Sequence, residues 1–129
     1  MTVIFIIPAV VVIAVLVLLL RRPHPPVVQS LAASRHGVTG AVSSGDSWRV
    51  LWTNLQRVEA WRDPFGQAGV VVRLETVDLR RYVTTARDMG WDAFVQALTA
   101  QFDLDPEWPA AVRRTPIPEE RVVLWEATV

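Results

Sequence analysis

Lysine and cysteine are both absent from this chain of 129 residues, and histidine occurs only as His24 and His36. Without lysine there is no phosphate-loop lysine and no Schiff base, and without cysteine there is no thiol nucleophile or thiolate metal site. Both histidines fall in a stretch rich in Pro and Gly that offers no rigid support for catalysis. Asp103-x-Asp105-x-Glu107 has the beginning of a calcium loop, but Pro106 and Trp108 stand where flexible residues and a Gly are needed, so Asp105 reads as a helix cap. No motif groups the carboxylates Asp63, Asp88 and Asp92. A non-enzymatic protein is expected, with no cofactor, no metal and no small-molecule substrate.

Acidic side chains are also missing from the first third of the chain, where none precedes Asp46. From Gly45 onward ten arginines face thirteen acidic side chains, a net of −3. A mildly acidic domain is a poor nucleic-acid binder, because such binding rests on many cationic contacts to phosphates.

What the chain does have is a long apolar run, eighteen residues from Val3 to Leu20 without a charge, ended by Arg21 and Arg22. As a helix the run reaches about 27 Å, close to the hydrocarbon thickness of a bilayer. Met1 to Leu20 lacks the basic n-region of a secretory signal, and Arg-Arg-Pro-His-Pro-Pro follows in place of a small-x-small cleavage site. The expectation is therefore an uncleaved transmembrane anchor over residues 1–22, with Arg21 and Arg22 flanking the membrane. Basic residues are retained on the cytoplasmic side. The expected location is the cell membrane, single-pass, with the N-terminus outside and the rest in the cytoplasm.

Residues 23–44, with Pro23, Pro25, Pro26, Gly37, Gly40, Ser43 and Ser44, read as a linker. His36 to Val42 could supply a first edge strand, although its small residues have low strand propensity. From Trp48 the period becomes two: Trp48, Val50 and Trp52 share one face, and Leu55 to Arg62 resumes the alternation after Thr53-Asn54. Asp63-Pro64-Phe65-Gly66 is a turn signal between that strand and the next, Val70 to Val77. Leu79 to Ala86 follows as another antiparallel partner, because such short connections exclude parallel pairing. Trp91, Phe94, Val95, Leu98 and Phe102 then form the apolar stripe of an amphipathic helix, with Asp88 and Gly90 as capping residues. Asp105-Pro106-Glu107 opens a short second helix, and Val122 to Ala127 is a last strand. The expected fold class is α+β: an N-terminal transmembrane helix, then over 45–129 a small antiparallel curved sheet, or partial barrel, packed with one amphipathic helix.

Trp52-Thr53-Asn54-Leu55-Gln56-Arg57-Val58-Glu59 resembles the Trp-turn-Leu-x-x-Val step of bacterial pleckstrin-homology-like domains. Val70 to Val77, the Gly90-Trp91-x-x-Phe94 helix opening and the closing Val122 to Glu126 strand are similar too. The resemblance covers about Gly45 to Val129 and implies a curved sheet with a helix. Phosphoinositide binding is not carried over, because the family's basic lipid-binding loop has no match.

Of six tryptophans, Trp48, Trp52, Trp91 and Trp125 lie on apolar stripes and read as core. Trp61 shares a strand face with Arg57 and Glu59, and Trp108 lies in a Pro-flanked turn. With Arg80, Arg81 and Tyr82 they are the candidate partner surface, since Trp and Arg dominate interface hot spots; the equal alternative is that Trp61 and Trp108 cover opposite ends of the barrel. The expected function is a membrane-anchored interaction or scaffold module whose partners are the lipid bilayer and a protein. The alternative is a lipid-surface sensor that reads anionic headgroups.

Overall fold

The computed structural model describes residues 29–42, 45–66 and 68–128. The chain runs through β1 (Gln29–Ala33), β2 (Gly37–Val42), β3 (Ser47–Leu51), a 3-10 turn (Trp52–Asn54), β4 (Leu55–Arg62), β5 (Val70–Thr76) and β6 (Arg81–Thr85). Helices α1 (Trp91–Phe102) and α2 (Trp108–Arg113) come next, and β7 (Val122–Glu126) ends the order. The strands form two antiparallel sheets, β1-β2-β3 and β6-β5-β4-β7.

This corrects the expected fold class in two ways. The described residues are mostly β, and their strands form two antiparallel sheets in place of one curved sheet. No described helix is long and apolar enough to cross a membrane, the longer of the two having twelve residues. The span assigned to residues 1–22, with Arg21 and Arg22, lies outside the described residues. The transmembrane element of the fold and the single-pass cell-membrane location drawn from it have no support in the structure.

The other difference is physical. Gln29–Ala33 and Gly37–Val42 lie in the stretch read as linker, yet they build most of the smaller sheet, and β2 is its central strand rather than an edge. Their small residues permit close approach. A Cβ on Gly40 would stand 2.3 Å from Trp48 Cε2, because the indole lies across that glycine, and a Cβ on Gly37 would stand 2.0 Å from the Val50 carbonyl.

The larger sheet follows its sequence pattern closely. Val58, Ala60, Val70, Val72 and Leu74 turn inward, and none exceeds 1 % exposure. Each Val or Leu so buried is worth about 1.5–3 kcal/mol. Helix α1 begins at Gly90, whose φ of 81° and 2.3 Å Cβ clearance to the Leu31 carbonyl admit only glycine comfortably. Its stripe buries Phe94 and Leu98 and packs Trp91, Val95 and Phe102 against the core. Phe102 fills the space between Trp52, 6.0 Å away, and Trp125, 4.4 Å away, at the ends of the two sheets. Asp105 accepts the Glu107 N–H at 3.0 Å, but the second helix starts later, at Trp108, with Pro109 in its first turn.

On their other side the sheets are joined by polar groups. Gln29 and Leu31 of β1 exchange main-chain bonds with Met89, and the buried Asp88 carboxylate accepts four donors: the Gln29 N–H, Gln29 Nε2, Thr84 Oγ1 and the Thr85 N–H. Gln29 also accepts Trp48 Nε1 and donates to the Val83 carbonyl. Asp88 was expected to cap α1. Only its carbonyl does so, accepting the Trp91 N–H at 3.3 Å, while its side chain closes this seam.

Candidate functional site

The outer face of the four-stranded sheet is built by the residues that alternate with the core positions. Strand registers set them in three rows. Arg81, Glu75, Arg57 and Glu126 face one another across β6, β5, β4 and β7 in the first row. Val83, Arg73, Glu59 and Val123 form the second. Thr85, Val71 and Trp61 form the third, with Arg121 at its end.

The charges on this face pair in a network. Glu59, only 5 % exposed, accepts Arg73 Nη2 at 2.5 Å and lies 3.2 Å from Arg57 Nε, an ion pair without a hydrogen bond. Glu75 accepts Gln56 Nε2 at 2.8 Å and lies 3.7 Å from Arg81 Nε. Arg57 Nη2 also reaches Glu126 at 3.9 Å. The outlying pairs contribute little, as exposed ion pairs do. Glu59 is different, because removing either arginine leaves a buried carboxylate short of a partner. Beside these charges lies apolar surface. The Arg121 guanidinium sits 3.4 Å above the Trp61 ring, a cation–π stack. Val83 and Val123 are each 45 % exposed at opposite margins.

The five residues expected to form a partner surface do not come together. Trp61 and Arg81 lie on this face. Arg80 projects from the β5–β6 turn, where its Nε pairs with Asp78 at 3.2 Å. A hydrogen bond with the Tyr82 side chain, then the Asp78 charge, hold the Arg80 guanidinium above its ordinary pKa. The Asp78 carboxyl is held below its ordinary value chiefly by the Thr76 hydroxyl that donates to it. Tyr82 turns toward the smaller sheet and stacks on Trp48, with centroids 5.1 Å apart. Trp108 is core: it is 4 % exposed, donates Nε1 to Thr99 Oγ1 at 3.0 Å and meets Trp91 edge-on.

Glu59, Arg73, Val83 and Val123 were not singled out from the sequence. Alternation in β4 and β5 puts Arg57 with Glu59 and Val71 with Arg73 and Glu75, and the strand register then sets Arg57, Glu59 and Trp61 opposite Glu75, Arg73 and Val71. The register shift at Val58/Glu59, which sets Val123 beside Glu59, left no such mark.

Among the described residues no group of three or more His, Asp or Glu could hold a metal ion. Asp103, Asp105 and Glu107 are exposed, and the Asp105 carboxylate is engaged with its own turn. His36 accepts Arg35 Nε at 3.3 Å in the exposed β1–β2 turn, and His24 lies outside the described residues.

Fold and face together define a small seven-stranded, β-rich domain with one ionic and aromatic sheet face. No protein-family model, no curated protein and no solved structure matches the chain.

Proposed function

We propose that this domain is a non-enzymatic interaction module that presents the outer face of the four-stranded sheet to a protein. The observation that carries the reading is Trp61 held flat beneath Arg121 in a face whose margins leave two valines nearly half exposed. A tryptophan and arginines beside apolar surface are the composition of an interface centre.

The state of the buried carboxylates supports a structural rather than catalytic use of them. Asp88 is occupied by four donors, Asp63 by the Phe65 and Ala68 N–H groups, and Glu59 by two arginines. Each holds a junction of the fold. Charge balance favours protein over lipid as the ligand. The face carries four arginines, 57, 73, 81 and 121, against three glutamates, 59, 75 and 126, which gives an anionic surface little to pull on.

Combined Trp61→Ala and Arg81→Ala tests the proposal. Loss of partner association by about tenfold or more, with folding intact, is expected. Unchanged association would place the working surface elsewhere.

A further inference from the structure

We infer that the outer face of the four-stranded sheet binds the same face of a second copy of this chain, about a two-fold axis running along the strands between β4 and β5. The inference rests on the interaction reading above and names the partner.

The first two rows carry it, because each is its own complement. A two-fold axis at the centre of a four-strand row brings the first position against the fourth and the second against the third of the other copy. In the first row Arg81 then meets Glu126, and Glu75 meets Arg57. In the second, Val83 meets Val123, while Arg73 comes over a Glu59 already buried beneath the arginines of its own copy. The third row adds little, since Val71 is only 8 % exposed and Trp61 lies beneath its own Arg121. No row sets like charges opposite each other. The same alternation forms the ion pairs within one copy, so the contact between copies rests on the exposed Arg81, Glu126, Val83 and Val123 at the margins.

The geometry suits face-to-face packing. Aligned sheets stack about 10 Å apart, a gap that Arg and Glu side chains from both sides can span. The costliest charge, Glu59, is already buried and doubly paired within one copy, so closing the face desolvates it little further. Four strands by three rows make a footprint about 20 Å on a side. That lies at the low end of specific interfaces, and a weak dimer is expected.

Charge reversal at the exposed margins provides the test. Arg81→Glu and Glu126→Arg are made separately in the full chain, each checked for a wild-type circular dichroism spectrum. Sedimentation velocity is run in a mild detergent, because of the apolar Val3–Leu20 run, up to about 200 µM, a range that suits a weak interface. The wild type should dimerise with concentration. Each variant alone places two like-charged pairs across the axis and should dimerise about tenfold more weakly. An equimolar mixture restores both attractive pairs and should return to within about threefold of wild type.

A second measurement does not depend on the reversals. The chain has no cysteine, so Val83→Cys mixed with Val123→Cys, treated with a bis-maleimide of about 10 Å span, should give a crosslinked heterodimer. Either variant alone should give far less, since its two thiols are also offset along the row.

A wild type that stays monomeric, a dimer indifferent to both reversals, or a mixture no stronger than its components would each overturn the inference. If the wild type is monomeric while another protein binds in a manner sensitive to Trp61→Ala and Arg81→Ala, only this inference fails. If that binding is also absent, the interaction reading fails with it.

Discussion

The two sheets of this domain show opposite solutions on their outward faces. The smaller sheet turns out Ser30, Ala32, Thr39, Ala41, Ser47, Arg49 and Leu51, mostly short side chains with a single charge. The larger sheet turns out four arginines, three glutamates and a tryptophan, already tied to one another. Long side chains held in place by their neighbours lose less entropy on binding than free ones. On the proposed reading, the smaller sheet is the scaffold and the larger one the prepared surface.

The sharpest way to break that comparison is at the shared core. Phe94 is fully buried in the core both sheets share. Phe94→Ala should cost about 4 kcal/mol and lower both sheets in a single transition, followed by urea denaturation with two probes. Two separate transitions would show that the sheets are independent.

Next comes Gly40→Ala, which drives a methyl into the Trp48 indole and should cost about 2–3 kcal/mol by thermal denaturation. The same substitution in a linker would be neutral or stabilising. Asp88→Ala strands four donors at the seam and should cost about 2 kcal/mol. Its distinguishing mark is faster amide exchange at Gln29 and Leu31 than in β4. Trp61→Ala should move stability by no more than about 1 kcal/mol while weakening association. A change confined to stability would return the larger sheet to the role of scaffold.

The smallest effect concerns pH. The Asp78 carboxyl is held below its ordinary pKa by the Thr76 hydroxyl and by Arg80, so its folded value is the lower one. Such a group contributes stability above the ordinary value of 3.8 and loses it as pH falls through the depressed one. Asp78→Asn should therefore lower stability slightly near neutrality and leave it unchanged below the depressed value, flattening the acid range of the pH profile.

Legibility followed the side chains. β4 stood out in the sequence with the bounds the structure gives it, Leu55–Arg62, because Val58 and Ala60 alternate with Arg57 and Glu59, and α1, Trp91–Phe102, because its apolar stripe repeats at a period of 3.6. β1 and β2 did not, since Gly37 and Gly40 serve close contact with Val50 and Trp48, and propensity cannot distinguish that use from a loose linker. Trp108 was read as exposed from its flanking prolines, whereas the indole turns inward to Thr99 and Trp91. The candidate face was half legible. Alternation placed Trp61 with Arg57 and Glu59, but joining them to Val83 and Val123 needed strand order and the register shift in β7.

The most direct test of the central claim, that the larger sheet's outer face is the working surface, is site-specific photo-crosslinking in living cells. A photoreactive side chain is placed at Val83 on that face, or at Ile117, which is more exposed at 61 % and lies off the sheets. The account predicts protein adducts from Val83 and few from Ile117. Equal yields, or adducts from Ile117 alone, would contradict it.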